Sequence, residues 1–170
     1  MSAARVLSTK RSAIVFTIVA VVGVIADRLT KVWANIALSS GSIDVIPGAF
    51  SFRLVFNEGA SFGMLNGAKV LFLVITVVVC AAILVYLARF CKRTPYEVVL
   101  LGAIFAGALG NAFDRAFYGA VTDFLSFDLI NFPVFNVADI CITCGMILWV
   151  LFAIFSRNSF FRDKQEGGAK

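Results

Sequence analysis

The run from Val70 to Arg89, VLFLVITVVVCAAILVYLAR, carries a single charge, and that charge is its last residue. As a helix rising 1.5 Å per residue it covers about 30 Å, the thickness of a bilayer's hydrocarbon core. The whole chain matches this segment in character: 61% of its 170 residues are hydrophobic, 15% are charged and the mean hydropathy is +0.95. Ordinary soluble domains do not reach such values, and the sequence reads as an integral membrane protein.

Three further runs qualify as spans, giving four at about residues 13–33, 70–89, 96–113 and 138–155. The predicted architecture is an all-α membrane protein, a single integral membrane domain over residues 1–170. Its external segments fall at about 34–69 and 114–137. The first run follows Arg5, Lys10 and Arg11 as a secretory leader would, but Asp27-Arg28-Leu29-Thr30-Lys31 stands where a small-residue cleavage site would be needed. It is read as an uncleaved first span.

Basic residues set the orientation. Arg5, Lys10, Arg11, Arg89, Lys92, Arg93, Arg157, Arg162, Lys164 and Lys170 fall on one side, ten of the fifteen. With Glu97, Asp163 and Glu166 that side nets +7, against −2 on the other. Both termini are therefore expected in the cytoplasm. The overall +5 reflects topology; no basic stripe with interleaved aromatics suggests a nucleic-acid partner.

In the first external segment, Phe50, Phe52, Leu54 and Phe56 alternate with Ser51 and Arg53, and Ile43-Asp44-Val45 precedes Pro47-Gly48. Period two with a Pro-Gly turn predicts a β-hairpin, part of a small extracytoplasmic antiparallel sheet. An open sheet cannot face hydrocarbon, so this one is placed on the outer surface with its phenylalanines in the interface. It reads either as an interfacial anchor or as a cradle adding a strand of extended peptide.

Small residues Gly102, Ala106 and Gly110, with Ala103 and Gly107, recur four apart along the third span, a spacing that lets helices pack closely in lipid. Beyond them Asn111, Asp114 and Arg115 can bond a neighbouring helix end, pair with each other or hold a substrate carbonyl. Asp27 and Lys31 stand at i,i+4 spacing, and an ion pair accounts for them as well as a site does.

Asp123 and Asp139 are the costliest residues, carboxylates set against long apolar runs. Pro133 between them excludes one helix face, so they meet only by folding. Helix length puts Asp139 at the outer edge of the hydrocarbon, and Asn136 is a plausible N-cap that leaves Asp139 in a first turn, where the helix dipole favours its anion. Asp123 lies in a β-like stretch, Val121 to Phe127, read as pairing with Phe132 to Phe135. If they meet, two carboxylates sharing a site divide one proton: one acts as base toward water and the other as acid. Otherwise they are two solvated interfacial acids. The dyad reading makes Asp139 the base and Asp123 the proton donor.

Taken in order, Asp27-Arg28-Leu29-Thr30-Lys31, Asn57-Glu58-Gly59-Ala60-Ser61-Phe62, Gly110-Asn111-Ala112-Phe113-Asp114-Arg115, Val121-Thr122-Asp123-Phe124 and Phe135-Asn136-Val137-Ala138-Asp139 resemble the motifs of lipoprotein signal peptidase, also called signal peptidase II. The resemblance runs from the first span to the fourth. It implies an aspartic endopeptidase of the bacterial inner membrane, with its active site at the periplasmic face, that removes the signal peptide from diacylglyceryl-modified prolipoproteins on the N-terminal side of the lipidated cysteine. It puts the catalytic pair on Asp123 and Asp139, and site-lining or site-supporting roles on Asn57, Asn111, Arg115, Asn136, Asp27 and Lys31. It implies inhibition by globomycin-type compounds. No cofactor or metal is expected, membrane lipid surrounds the chain, and a monomer is the default. Arg28 and Thr30 depart from the Gln and Ser more often expected there, leaving Asp27 and Lys31 in place.

The chain contains no histidine, which removes Ser-His-Asp and Cys-His catalysis and most zinc hydrolase sites. Cys141 and Cys144 read as small core residues of the fourth span, and Cys80 and Cys91 as reduced thiols of the cytoplasmic half. An ion transporter would carry its acids near the bilayer midplane. A Ser-Lys peptidase built on Lys31 and Ser61 would need a buried, depressed lysine, and neither residue is expected to have apolar burial.

Overall fold

The computed structural model of the chain describes residues 7–59, 68–89 and 94–155. Four helices and three strands follow in the order α1 (Thr9–Ala37), β1 (Ile43–Ile46), β2 (Phe50–Asn57), α2 (Lys69–Arg89), α3 (Pro95–Tyr118), β3 (Val121–Phe127) and α4 (Val137–Phe155). All four helices are long and apolar enough to cross a membrane, and the sheet is small and antiparallel, as the sequence predicts. Of the basic residues that set the orientation, Arg5, Lys92, Arg93, Arg157, Arg162, Lys164 and Lys170 lie outside the described residues, as do Cys91 and Ala60-Ser61-Phe62.

Helix boundaries follow their caps. Ser8 accepts a hydrogen bond from the Arg11 N–H, so α1 starts before its apolar run. Thr94 and Glu97 form a reciprocal capping box with Pro95 in the first turn of α3. That helix ends at Gly119, whose φ of 86° is a left-handed conformation suited to glycine. α3 thus outruns its predicted end at 113, and Asn111, Asp114 and Arg115 are helical. The reason is electrostatic: Asp114 is paired with cations from α1, so its charge does not end the helix.

α3 is the centre of the bundle. In its most apolar stretch 56% is buried, against 6% in α2, and it packs on α1, α2 and α4. Small residues make that possible. A Cβ at Gly102 would stand 3.0 Å from Val19 on α1, and one at Gly107 would strike the Ala138 carbonyl on α4. Exposed Val, Ile and Leu on α1, α2 and α4 form the outer surface that hydrocarbon would cover. Cys80 is buried and Cys141 half-buried, but Cys144 is exposed, so the core reading does not hold for it.

The strand order is β1-β2-β3. The hairpin reading holds, with Ile43 opposite Phe52 and Asp44 opposite Ser51. β3 then pairs chiefly with β2, and from the predicted partner segment Phe132 to Phe135 it is Phe135 that pairs with it, through an antiparallel bridge to Leu125 and a hydrogen bond from the Phe124 N–H to its carbonyl. β2 is the central strand, with β3 along one side and β1 opposite only Phe50 to Phe52 on the other. Strict alternation along β2 also fails. Phe52 faces Leu125 while Val55 faces Asp123, so β2 holds one extra residue, a bulge. The bulge turns Asn57 onto the face that carries Asp123 and leaves Phe56 exposed.

Candidate active site

Each acid is placed by a different device. Asp123 sits in mid-β3, a strand buried along most of its length, whose entry is held by Thr122 N–H donating to Asp114 at 3.2 Å. Asp139 occupies the first turn of α4. Asn136 caps that helix reciprocally: its Oδ1 accepts from the Asp139 N–H at 3.0 Å, and Asp139 Oδ2 accepts from the Asn136 N–H at 3.1 Å. The expected cap is present.

The two acids meet through amides. Asn136 Nδ2 donates to Asp123 Oδ1 at 2.6 Å, and Asn57 Nδ2 to Asp123 Oδ2 at 2.9 Å. Asn111 Nδ2 donates to Asp139 Oδ1 at 2.7 Å. Every oxygen of both carboxylates therefore has one neutral N–H donor and keeps acceptor capacity for something else. Asn136, fully buried, touches both acids. Asp123 itself is 2% exposed, which rules out the reading of two solvated acids. Burial pushes its carboxyl up to about 6, a shift opposed by the Asn57 hydrogen bond, reinforced by Asp139 and opposed again by Asn136 and Lys31.

Arg115 fixes the approach to the site. Its Nη2 donates to the Gly59 carbonyl at 3.0 Å, and its guanidinium lies 4.5 Å from the centre of the Phe72 ring, tying α3 to the end of β2 and to α2. Below the acids a cavity of about 550 Å³ extends between α2 and α4, floored by Ile104 and Ala108 of α3 and walled by Phe72, Val79 and Met146. One end is carboxylate and amide; the rest is mostly apolar, with Thr76 and Thr143 the hydroxyl residues in its lining.

Asp27 and Lys31 do form the i,i+4 pair, at 3.0 Å, but the pair belongs to a larger cluster, and Lys31 is buried, contrary to expectation, because two carboxylates compensate its charge. Lys31 Nζ also meets Asp114 Oδ2 at 2.8 Å and donates to Asn111 Oδ1 at 2.9 Å. Arg28 completes it, 2.6 Å from Asp114 and 3.2 Å from Asp27, with its guanidinium over Phe113. Two carboxylates face two cations, as burial demands. Sequence reasoning passed over Arg28 as a harmless departure. Its partner Asp114 lies far along the chain, so no local pattern in the sequence marks the contact.

The chain and its fold match one family along most of their length. Residues 19–155 match the family model for signal peptidase II. A lipoprotein signal peptidase of Clostridium acetobutylicum is 36% identical over 154 residues, covering 88% of this chain and 97% of its own. One from Symbiobacterium thermophilum is 44% identical over 138 residues, 79% and 90% of the two chains. A solved bacterial membrane enzyme, determined by the in meso method at 2.3 Å, superposes with a TM-score of 0.76 at 32% identity, over 85% of this chain and 92% of that one. With four spanning helices and these matches across nearly all of them, the chain belongs to the signal peptidase II family, membrane proteases that remove signal peptides from prolipoproteins.

Proposed function

We propose that Asp123 and Asp139 are the catalytic dyad of an aspartic endopeptidase that cuts diacylglyceryl-modified prolipoproteins just before the lipidated cysteine. One observation carries the reading: two carboxylates from different elements converge on one buried amide network at the head of an apolar cavity. In the cycle Asp139, ionised, takes a proton from a water whose oxygen attacks the scissile carbonyl. Asp123, protonated, gives its proton to the carbonyl oxygen. Collapse of the tetrahedral intermediate returns that proton to Asp123 and breaks the C–N bond. The leaving amine of the cysteine takes the proton held by Asp139. The tendency of Asp123 to keep its proton to about pH 6 supports its role as the acid.

The remaining assignments follow from the same geometry. Asn57, Asn111 and Asn136 orient the carboxylates, Arg115 holds the segment flanking the substrate, and Asp27 with Lys31 supports the site from α1. The cavity's apolar wall suits the substrate's acyl chains or hydrophobic signal segment, and globomycin-type inhibitors would compete there. The charge bias puts both termini in the cytoplasm and the dyad at the periplasmic face of the inner membrane. A single chain supplies every group named, so a monomer suffices.

The test is cleavage of a diacylglyceryl-prolipoprotein by the purified, reconstituted protein. Asp123→Asn and Asp139→Asn should each lower turnover by roughly 100-fold or more while the protein stays folded. Either variant retaining near wild-type turnover would refute the dyad. Efficient cleavage of the unlipidated precursor would refute the substrate assignment.

A further inference from the structure

Three side-chain amides hold the dyad, and each works only with its nitrogen toward a carboxylate. Two are fixed by backbone groups: Asn57 Oδ1 accepts from the Gly59 N–H at 3.0 Å, and Asn136 Oδ1 accepts from the Asp139 N–H. Asn111 has no such backbone partner. Its Oδ1 accepts instead from Lys31 Nζ at 2.9 Å and Asn136 Nδ2 at 3.1 Å, while its Nδ2 reaches Asp139. Rotating this amide by half a turn would set its NH2 against an ammonium and a second NH2, and its oxygen against the Asp139 carboxylate. Every contact would change from attraction to repulsion.

We infer that Lys31 is a positioning residue for the dyad, acting through Asn111, whose amide its ammonium holds with the nitrogen toward Asp139. This deepens the dyad reading and rests on it. Lys31 is itself 2% exposed and held in place by Asp27 and Asp114, so its ammonium is a rigid reference point. The buried ion cluster of α1 and α3 thus does more than join two helices: its third contact reaches the amide that orients Asp139. Asn136 shares the task but also serves Asp123, so its amide is not free to follow Asn111 alone.

The experiment is a double-mutant cycle on the full chain in detergent micelles, with a lipidated prolipoprotein as substrate and thermal unfolding followed in parallel. Lys31→Met should lower kcat by roughly 10- to 100-fold, the worth of one charge-assisted hydrogen bond, and leave KM within about twofold. In an Asn111→Ala background the same substitution should cost little more, because the group it acts through is gone. If removal of the Lys31 partner leaves Asp27 and Asp114 too poorly compensated for folding, Asp27→Asn/Lys31→Met keeps one carboxylate opposite Arg28 and is judged by the same criteria. A folded Lys31 variant with wild-type kcat would overturn the inference, as would an equal loss in both backgrounds, which would mean that Lys31 acts on the acids directly. Failure of the dyad itself is read separately, from Asp123→Asn and Asp139→Asn retaining turnover.

Discussion

Gly107→Ala places one methyl group where α3 and α4 touch, one residue away from Asp139 along α4. A Cβ at Gly107 would fall on the Ala138 carbonyl oxygen, 2.9 Å from Ile142 Cγ1 and 3.2 Å from the Ala138 carbonyl carbon. Carbon atoms prefer separations of about 3.5–4.0 Å, so the Ala138 carbonyl carbon, and α4 with it, must retreat by roughly 0.3–0.8 Å. The obstacle is backbone, which cannot turn aside as a side chain can. Overpacking of this kind costs about 1–3 kcal/mol of stability. The functional cost should be larger, because the retreat draws Asp139 from Asn111, now at 2.7 Å, while Asp123 stays on the sheet. A displacement of about 1 Å at a reacting group lowers turnover by roughly 100-fold. Gly145→Ala is the control: its Cβ would meet Ile104 Cγ1 at 2.8 Å, overpacking the same α3–α4 contact but well down α4 from the acids. The assay is kcat on the lipidated precursor, normalised to the folded fraction from thermal unfolding. Gly107→Ala should lose far more turnover than Gly145→Ala at comparable loss of unfolding temperature. Equal kcat for the two, or Gly107→Ala within about threefold of wild type, would refute the claim that this contact sets the dyad's geometry.

Asp123, raised by burial to about 6, should give kcat/KM an alkaline limb near that pH as the acid loses its proton; Asn57→Ala removes a bond to the anion and should move the limb upward, with a downward move refuting the assignment. The same shift makes stability a function of pH: the folded state binds this proton more tightly, so its contribution is complete below about 4 and lost as pH rises through 6. Asp123→Asn should flatten that part of the unfolding-temperature profile. Asp114→Ala strips Lys31 and Arg28 of a buried partner and frees the Thr122 N–H, which should cost about 3–5 kcal/mol in denaturant unfolding. Arg53→Ala, which breaks only an exposed 3.5 Å contact with Asp128, should leave the midpoint unchanged. Gly119→Ala forces a side chain into the left-handed turn between α3 and β3 and should lower stability by about 1–2 kcal/mol, checked by the same unfolding measurement.

Whatever depends on local pattern and on solvent is legible in the residues alone. Runs such as Val70 to Arg89 demand hydrocarbon around them, Pro47-Gly48 between alternating residues demands a hairpin, and Asn136 ahead of an apolar run caps α4. The sequence also marked Asp123 and Asp139 as too costly to leave unused. Tertiary structure alone decided how these pieces meet. The bulge in β2 is invisible to a period-two reading, because one extra residue shows only against the partner strand; yet it turns Asn57 toward Asp123. The length of α3 escaped hydropathy because Asp114 and Arg115 look like a helix's polar end until the cations of α1 are brought beside Asp114. Arg28 looked incidental for the same reason: a buried charge is explained by its partner, and here the partner lies far along the chain. Periodicity reports which face is apolar, but the pairing of buried polar groups is a long-range property, and the geometry around both aspartates is made of such pairings.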